Sequence, residues 1–245
     1  MSKTVRIALV AEGVTDYEVL RAAIESMLGG LSFDLKLLQP EGSVAFTSGG
    51  DAGPLGGGWK GVHRWCLQAA QRGDGSLSGD PLFISYDLLV LHLDADVADE
   101  DPANQRVDPI PELQGVLPCA RDCPPASATT NPLRRVLLSW VGETQTPRQT
   151  VLCTPSKCIE AWVMAVFFPH DREMARRGWE CHPNPESRLD QQPAGRRFAK
   201  RQADYQLRQA RLQAGWPTIA ARLSEAQRFR DDFVTAVHNL PGHLI

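Results

Sequence analysis

The chain reads as an α/β protein: a four-stranded, mainly parallel sheet flanked by helices, followed by a helical C-terminal extension. Three observations predict this. Short apolar, β-branched runs, "VRIALV" (5–10), "DLLVLHLDAD" (87–96) and "QTVLCT" (149–154), recur at wide spacing. Segments of helical period separate them. Beyond about residue 170 the strand signals stop and helical patterning continues. Strands alternating with helices argue for a parallel sheet. Right-handed crossovers then bring every strand's C-terminal end to one edge, where open α/β sheets place their sites.

The first strand is bounded by Gly13, and "TDYE" (15–18) matches a capping box with Thr15 as N-cap and Glu18 reaching back. Leu20, Ala23, Ile24, Met27 and Leu28 line one face of the helix that follows, and Gly29-Gly30 ends it. "FDLKLL" (33–38) is the second strand. The glycine-rich segment 42–61 is a loop, and a helix follows over about 62–71. The strongest buried-strand signal is 87–96. Residues 97–131, rich in Pro, Asp and Ala, form a long irregular insertion. A short helix is expected over 131–142 and the fourth strand over 149–154. Thr154 and Pro155 then open a helix, as N-cap and first helical residue, with an apolar stripe at Ile159, Trp162, Val163, Val166 and Phe167. These readings divide the chain into an α/β unit, 1–170, with insertions near 42–61 and 97–131, and a helical, locally basic extension, 171–245.

Apolar residues make up 42% and charged residues 22% of the 245, as in soluble globular proteins. No apolar run approaches the roughly 20 residues of a membrane span, and the N-terminal run is broken by Glu12. A cytoplasmic protein without membrane contact is expected. Six cysteines do not make a disulfide scaffold in this length. Reduced, partly buried thiols are expected, without the tight pairs of a zinc site. The net charge of −3 conceals an asymmetry, since 172–230 carries 13 Lys or Arg against 6 Asp or Glu.

The carboxylates carry the chemistry. Glu12 leaves the C-terminal end of the first strand, and Asp94 and Asp96 leave that of the third. If those strands are neighbours, three acids converge. Like charges so placed repel unless a cation sits among them, and a hard dication such as Mg²⁺ takes oxygen ligands. Such a site suits phosphoryl chemistry on an anionic substrate.

With "AEGVTD" (11–16) on one strand end and "LHLDAD" (91–96) on another, the chain resembles the TOPRIM family of topoisomerase, primase, recombination-protein and OLD-type nuclease domains. The resemblance covers roughly residues 3–168 and implies a TOPRIM or Rossmann-like sheet. It also implies Glu12 as general acid/base or ligand, with Asp94 and Asp96 holding Mg²⁺ or Mn²⁺. "PSKCIEAW" (155–162) looks like a motif of small TOPRIM-like proteins found near bacterial defence genes, which implies antiviral defence and an ATPase partner. A strand-passing topoisomerase needs more chain and a tyrosine nucleophile, and a primase needs further modules. A metal-dependent nuclease, or an assembly-activated subunit that binds an ATPase or nucleic acid, is what the resemblance leaves.

Other residues have two readings. Asp16 either complements the helix dipole or joins the site. Glu160 is either a fourth carboxylate or a surface residue, and Lys157, in the first helical turn, is a phosphate or carboxylate contact. Lys60 after the glycine loop is a similar candidate, though the P-loop pattern is absent. His92 is expected in the core with a satisfied ring nitrogen. Arg196, Arg197, Lys200, Arg201, Arg208 and Arg211 recur at helical spacing. They mark a nucleic-acid-tracking face, a docking face for an acidic chain, or a solvated helix.

Overall fold

The computed structural model describes residues 4–41, 53–101, 116–193, 196–199 and 201–241. Parts of both expected insertions, 42–52 and 102–115, and Lys200 lie outside them. The order is β1 (Val5–Val10), α1 (Val14–Leu28), β2 (Phe33–Gln39), α2 (Gly58–Arg72), the short α3 (Leu82–Ser85) and β3 (Leu88–His92). Then come α4 (Ser127–Trp140), β4 (Thr150–Cys153), α5 (Glu160–Phe167), α6 (Arg172–Arg177), α7 (Pro185–Asp190), α8 (Gln202–Gln206), α9 (Gln209–Arg222) and α10 (Ser224–His238).

The sheet runs β2-β1-β3-β4, and every pairing is parallel. Val10 sits opposite Leu91, so Glu12 and Asp94 leave the sheet side by side. The two-residue period divides the strands cleanly. Ile7, Leu9, Leu88, Val90 and Val151 face a layer built from α1, α5 and the C-terminal helices. Ala8, Val10, Leu89, Leu91 and Leu152 face α2 and α4. Near-continuous burial of β1 and β3 follows from cover on both faces. The C-terminal helices contribute Tyr205, Leu212, Trp216, Phe229 and Phe233 to the same apolar layer as α1, so they complete a face of the sheet.

Four local expectations are corrected. Helix α1 begins after Gly13, not Thr15, and the Asp16 carboxylate accepts the Gly13 N–H at 2.8 Å. The reach-back contact of a capping box is made, but by Asp16, two residues before the expected Glu18. Glu18 is instead buried and accepts the side-chain amides of Gln202 and Gln206 at 2.8 and 2.9 Å.

Helix α5 starts at Glu160, not Thr154. Residues 155–159 run beside the end of β3 instead. The Ala95 N–H donates to the Pro155 carbonyl at 3.1 Å and the Asp96 N–H to that of Lys157 at 2.8 Å. Those bonds compete with helix formation, and Lys157 takes the left-handed region at φ 62. The Thr154 hydroxyl accepts from Arg134 Nε at 3.1 Å.

The arginines of 196–211 do not share one helix. Phe198 turns into the core, Ala199 N–H is taken by Asp204 at 2.8 Å, and the chain breaks between α8 and α9. Finally, Cys123 and Cys181 form a disulfide with Cα atoms 5.4 Å apart, while Cys66, Cys119, Cys153 and Cys158 are free and buried thiols. Tertiary packing brings together two segments that were read as carrying separate reduced thiols. No helix among the described residues is long and apolar enough to cross a membrane.

Candidate functional site

At the carboxyl edge of the sheet, where β1 and β3 end, a cleft of about 290 Å³ is lined by Glu12, Asp16, Asp94, Asp96, Glu160 and Glu186, with Cys158 at its wall. Among the described residues, neither Lys nor Arg lines it. Adjacent parallel strands place the first two groups: Glu12 Oε1 accepts the backbone N–H of Asp94 at 2.8 Å. The Glu12 carbonyl accepts the Gly58 N–H at 2.9 Å, which fixes the start of α2 beside the same edge. Asp94 Oδ1 accepts the Ile159 N–H at 3.0 Å, so the loop before α5 holds this carboxylate from the other side.

Burial and crowding raise the proton affinity of the group. Desolvation, then Asp94 and Asp16, push Glu12 well above the usual carboxylate range, although the Asp94 N–H opposes this. Asp94 is pushed up by desolvation first and then by Asp16, Glu160 and Asp96. Asp96, exposed at the rim, is raised chiefly by desolvation, while Lys157 draws it down. His92 lies beneath, fully buried, with Nε2 3.2 Å from Asp94 Oδ1 and Nδ1 4.0 Å from Asp16 Oδ2. Burial lowers its pKa, and neither ring nitrogen has a hydrogen bond in the structure. The satisfied ring nitrogen expected from the sequence is therefore corrected: His92 is a neutral ring packed behind the carboxylates.

The donor set is all carboxylate oxygen, which matches a hard dication in kind. Among the described residues, however, no three His, Cys, Asp or Glu side chains are drawn together closely enough to hold an ion. Backbone N–H groups hold one oxygen each of Glu12, Asp94 and Asp16.

The structure brings together Glu12, Asp94, Asp96 and Glu160. Lys157 does not line the cleft: its ammonium pairs with Asp99 at 3.0 Å, from where it draws the Asp96 pKa down, and its carbonyl accepts the Asp96 N–H. Lys60 lies over the Trp59 ring, 5.9 Å from its centroid. Two lining carboxylates were not assigned to the site from the sequence. Asp16 has a local signal, its place three residues after Gly13, which was open to either reading. Glu186 has none: it opens α7 in the extension and reaches the cleft only because that extension folds back.

Comparison with family models, with curated proteins and with solved structures returns no match. The cleft's chemistry rests on its own geometry.

Proposed function

We propose that the chain is a metal-dependent phosphodiester hydrolase acting on nucleic acid, a TOPRIM-type nuclease. The observation that carries this reading is the meeting of Glu12, from the end of β1, with Asp94, from the end of β3, in a cleft without a lining cation. Mg²⁺ or Mn²⁺ held by Glu12, Asp94 and Asp96 would offset the charge of a phosphodiester and activate water. Glu12, at the end of β1 and bonded to the Asp94 N–H, would serve as base or as ligand. Glu160 and Glu186 extend the acidic wall, and Asp16 holds the Glu12–Gly13 turn through the Gly13 N–H. A role in defence, beside an ATPase partner, follows from the resemblance alone.

The test is cleavage of labelled DNA and RNA with Mg²⁺ or Mn²⁺ by the wild type and by Asp94→Ala. A loss of roughly 100-fold or more in the variant is expected. Equal cleavage by both proteins would overturn the reading.

One observation favours a second reading, a subunit whose site assembles on a partner. Glu12, Asp94 and Asp16 are each held by a backbone donor, and among the described residues no three such side chains gather around one point. Under this reading the purified chain neither cleaves nor gains thermal stability from Mn²⁺, and both appear on addition of the partner ATPase.

A further inference from the structure

Away from the acidic cleft, the C-terminal segment and the far end of α5 line an open groove of about 620 Å³. Its polar walls are Arg196, Arg208 and Arg211, and its apolar surface comes from Phe167, Phe168 and Leu207, with no carboxylate lining it among the described residues. Two of the arginines lie over aromatic rings. The Arg211 guanidinium lies 4.5 Å from the Phe167 centroid, and that of Arg208 lies 4.4 Å from Phe198. Phe198 packs edge-on against both Phe167 and Tyr205, so the bed beneath the arginines is continuous. Leu207 is 82% exposed in the break between α8 and α9, beside these arginines.

Three guanidinium groups, two of them over aromatic rings, with an exposed apolar lip, fit a ligand that is anionic along one edge and flat and apolar along the other. A phosphate-linked nucleotide has that form, since phosphates pair with fixed guanidinium forks and bases stack on aromatic or guanidinium planes. An acidic peptide meets only the charge. The volume is in the range of small-ligand sites. Helix α5 links the two places. Glu160 at its start lines the acidic cleft and Phe167 at its end lines the basic groove, about 10 Å apart along the axis.

We infer that this groove holds a nucleotide unit of a single-stranded nucleic acid whose neighbouring phosphodiester lies at the acidic cleft. The inference rests on the proposed hydrolase reading for its direction, and names single strands as the substrate class.

The test is equilibrium binding of a fluorescein-labelled oligothymidylate of about 12 nucleotides to the full chain in EDTA, where no metal-dependent cleavage occurs. Arg196→Ala/Arg211→Ala is expected to weaken binding at least tenfold. Arg176→Ala/Arg177→Ala, which removes the same charge from exposed residues paired with Glu173, is expected to bind as the wild type. Melting temperatures show whether each variant is folded. An abasic strand is expected to bind the wild type more weakly than oligothymidylate does, and that difference should vanish in Phe168→Ala/Leu207→Ala. Equal weakening by both arginine pairs, displacement by polyglutamate at matched charge, or tighter binding of duplex would each overturn the inference. Binding in EDTA without cleavage in Mg²⁺ would sink only the hydrolase reading. Cleavage that survives in Arg196→Ala/Arg211→Ala would sink only the pocket.

Discussion

Glu12 Oε1 and the backbone N–H of Asp94, 82 residues apart in the chain, lie 2.8 Å from each other. The bond ties the C-terminal ends of β1 and β3 through a side chain that burial and neighbouring acids push toward its protonated form. Replacing Glu12 by Gln keeps an oxygen that can accept this N–H and removes a charge. Without divalent metal at pH 8, Glu12→Gln is expected to be more stable than the wild type by on the order of 1 kcal/mol, while losing cleavage. Chemical denaturation and the cleavage assay check the two halves separately. A carboxylate with a raised folded pKa stabilises below its unfolded pKa and loses that contribution as pH rises. The advantage of the variant should therefore shrink on going from pH 8 toward pH 4.

Asp171 shows the opposite sign. Its side chain caps α6 by accepting the N–H groups of Glu173 and Met174, and it pairs with Arg188 at 2.6 Å. Although its partial burial pushes the other way, these hydrogen bonds hold its pKa at about 2. The stability it supplies is present above the unfolded value near 3.9 and is lost as pH falls toward 2. Asp171→Ala should cost on the order of 2 kcal/mol at pH 7, and the gap from the wild type should close in acid. Urea denaturation at several pH values measures it. A gap that stays constant down to pH 2 would contradict the assignment.

Glu18 joins the first helix to the extension. Its Oε1 accepts both the Gln202 and the Gln206 amides while the residue is 1% exposed. Glu18→Ala leaves two donors near the core without a partner, at a cost of about 2–3 kcal/mol. Glu18→Gln retains an accepting oxygen and should lose less. Proteolysis within 199–208, followed by mass spectrometry, should rise in the alanine variant, because that contact holds α8 against α1.

Lys157 separates a backbone role from a side-chain role. Its φ of 62 suits glycine, and its ammonium is paired with the exposed Asp99. Lys157→Gly gives up an ion pair worth about 1 kcal/mol or less and relieves a left-handed residue of similar cost. The melting temperature should change little. Cleavage should stay within about tenfold, because the contact at the site is the Lys157 carbonyl on Asp96. A larger loss with an unchanged melting temperature would assign the ammonium to the chemistry.

The α/β class and the alternation of strands with helices were legible in the sequence, because each depends on local periodicity. The runs at 5–10, 87–96 and 149–154 each contain a strand, and the acids directly after the first two mark the edge that holds the cleft. Tertiary structure decided what periodicity does not carry. The loop 155–159 stayed out of the helix because the end of β3 competed for its carbonyls. Glu18 was drawn from a cap into a buried contact by two glutamines some 184 and 188 residues away. The Cys123–Cys181 link and the arrival of Glu186 at the cleft depend on how the extension folds back. Local preferences are worth a few tenths of a kcal/mol to about 1 kcal/mol per residue, and buried long-range hydrogen bonds and packing outweigh them wherever the two disagree.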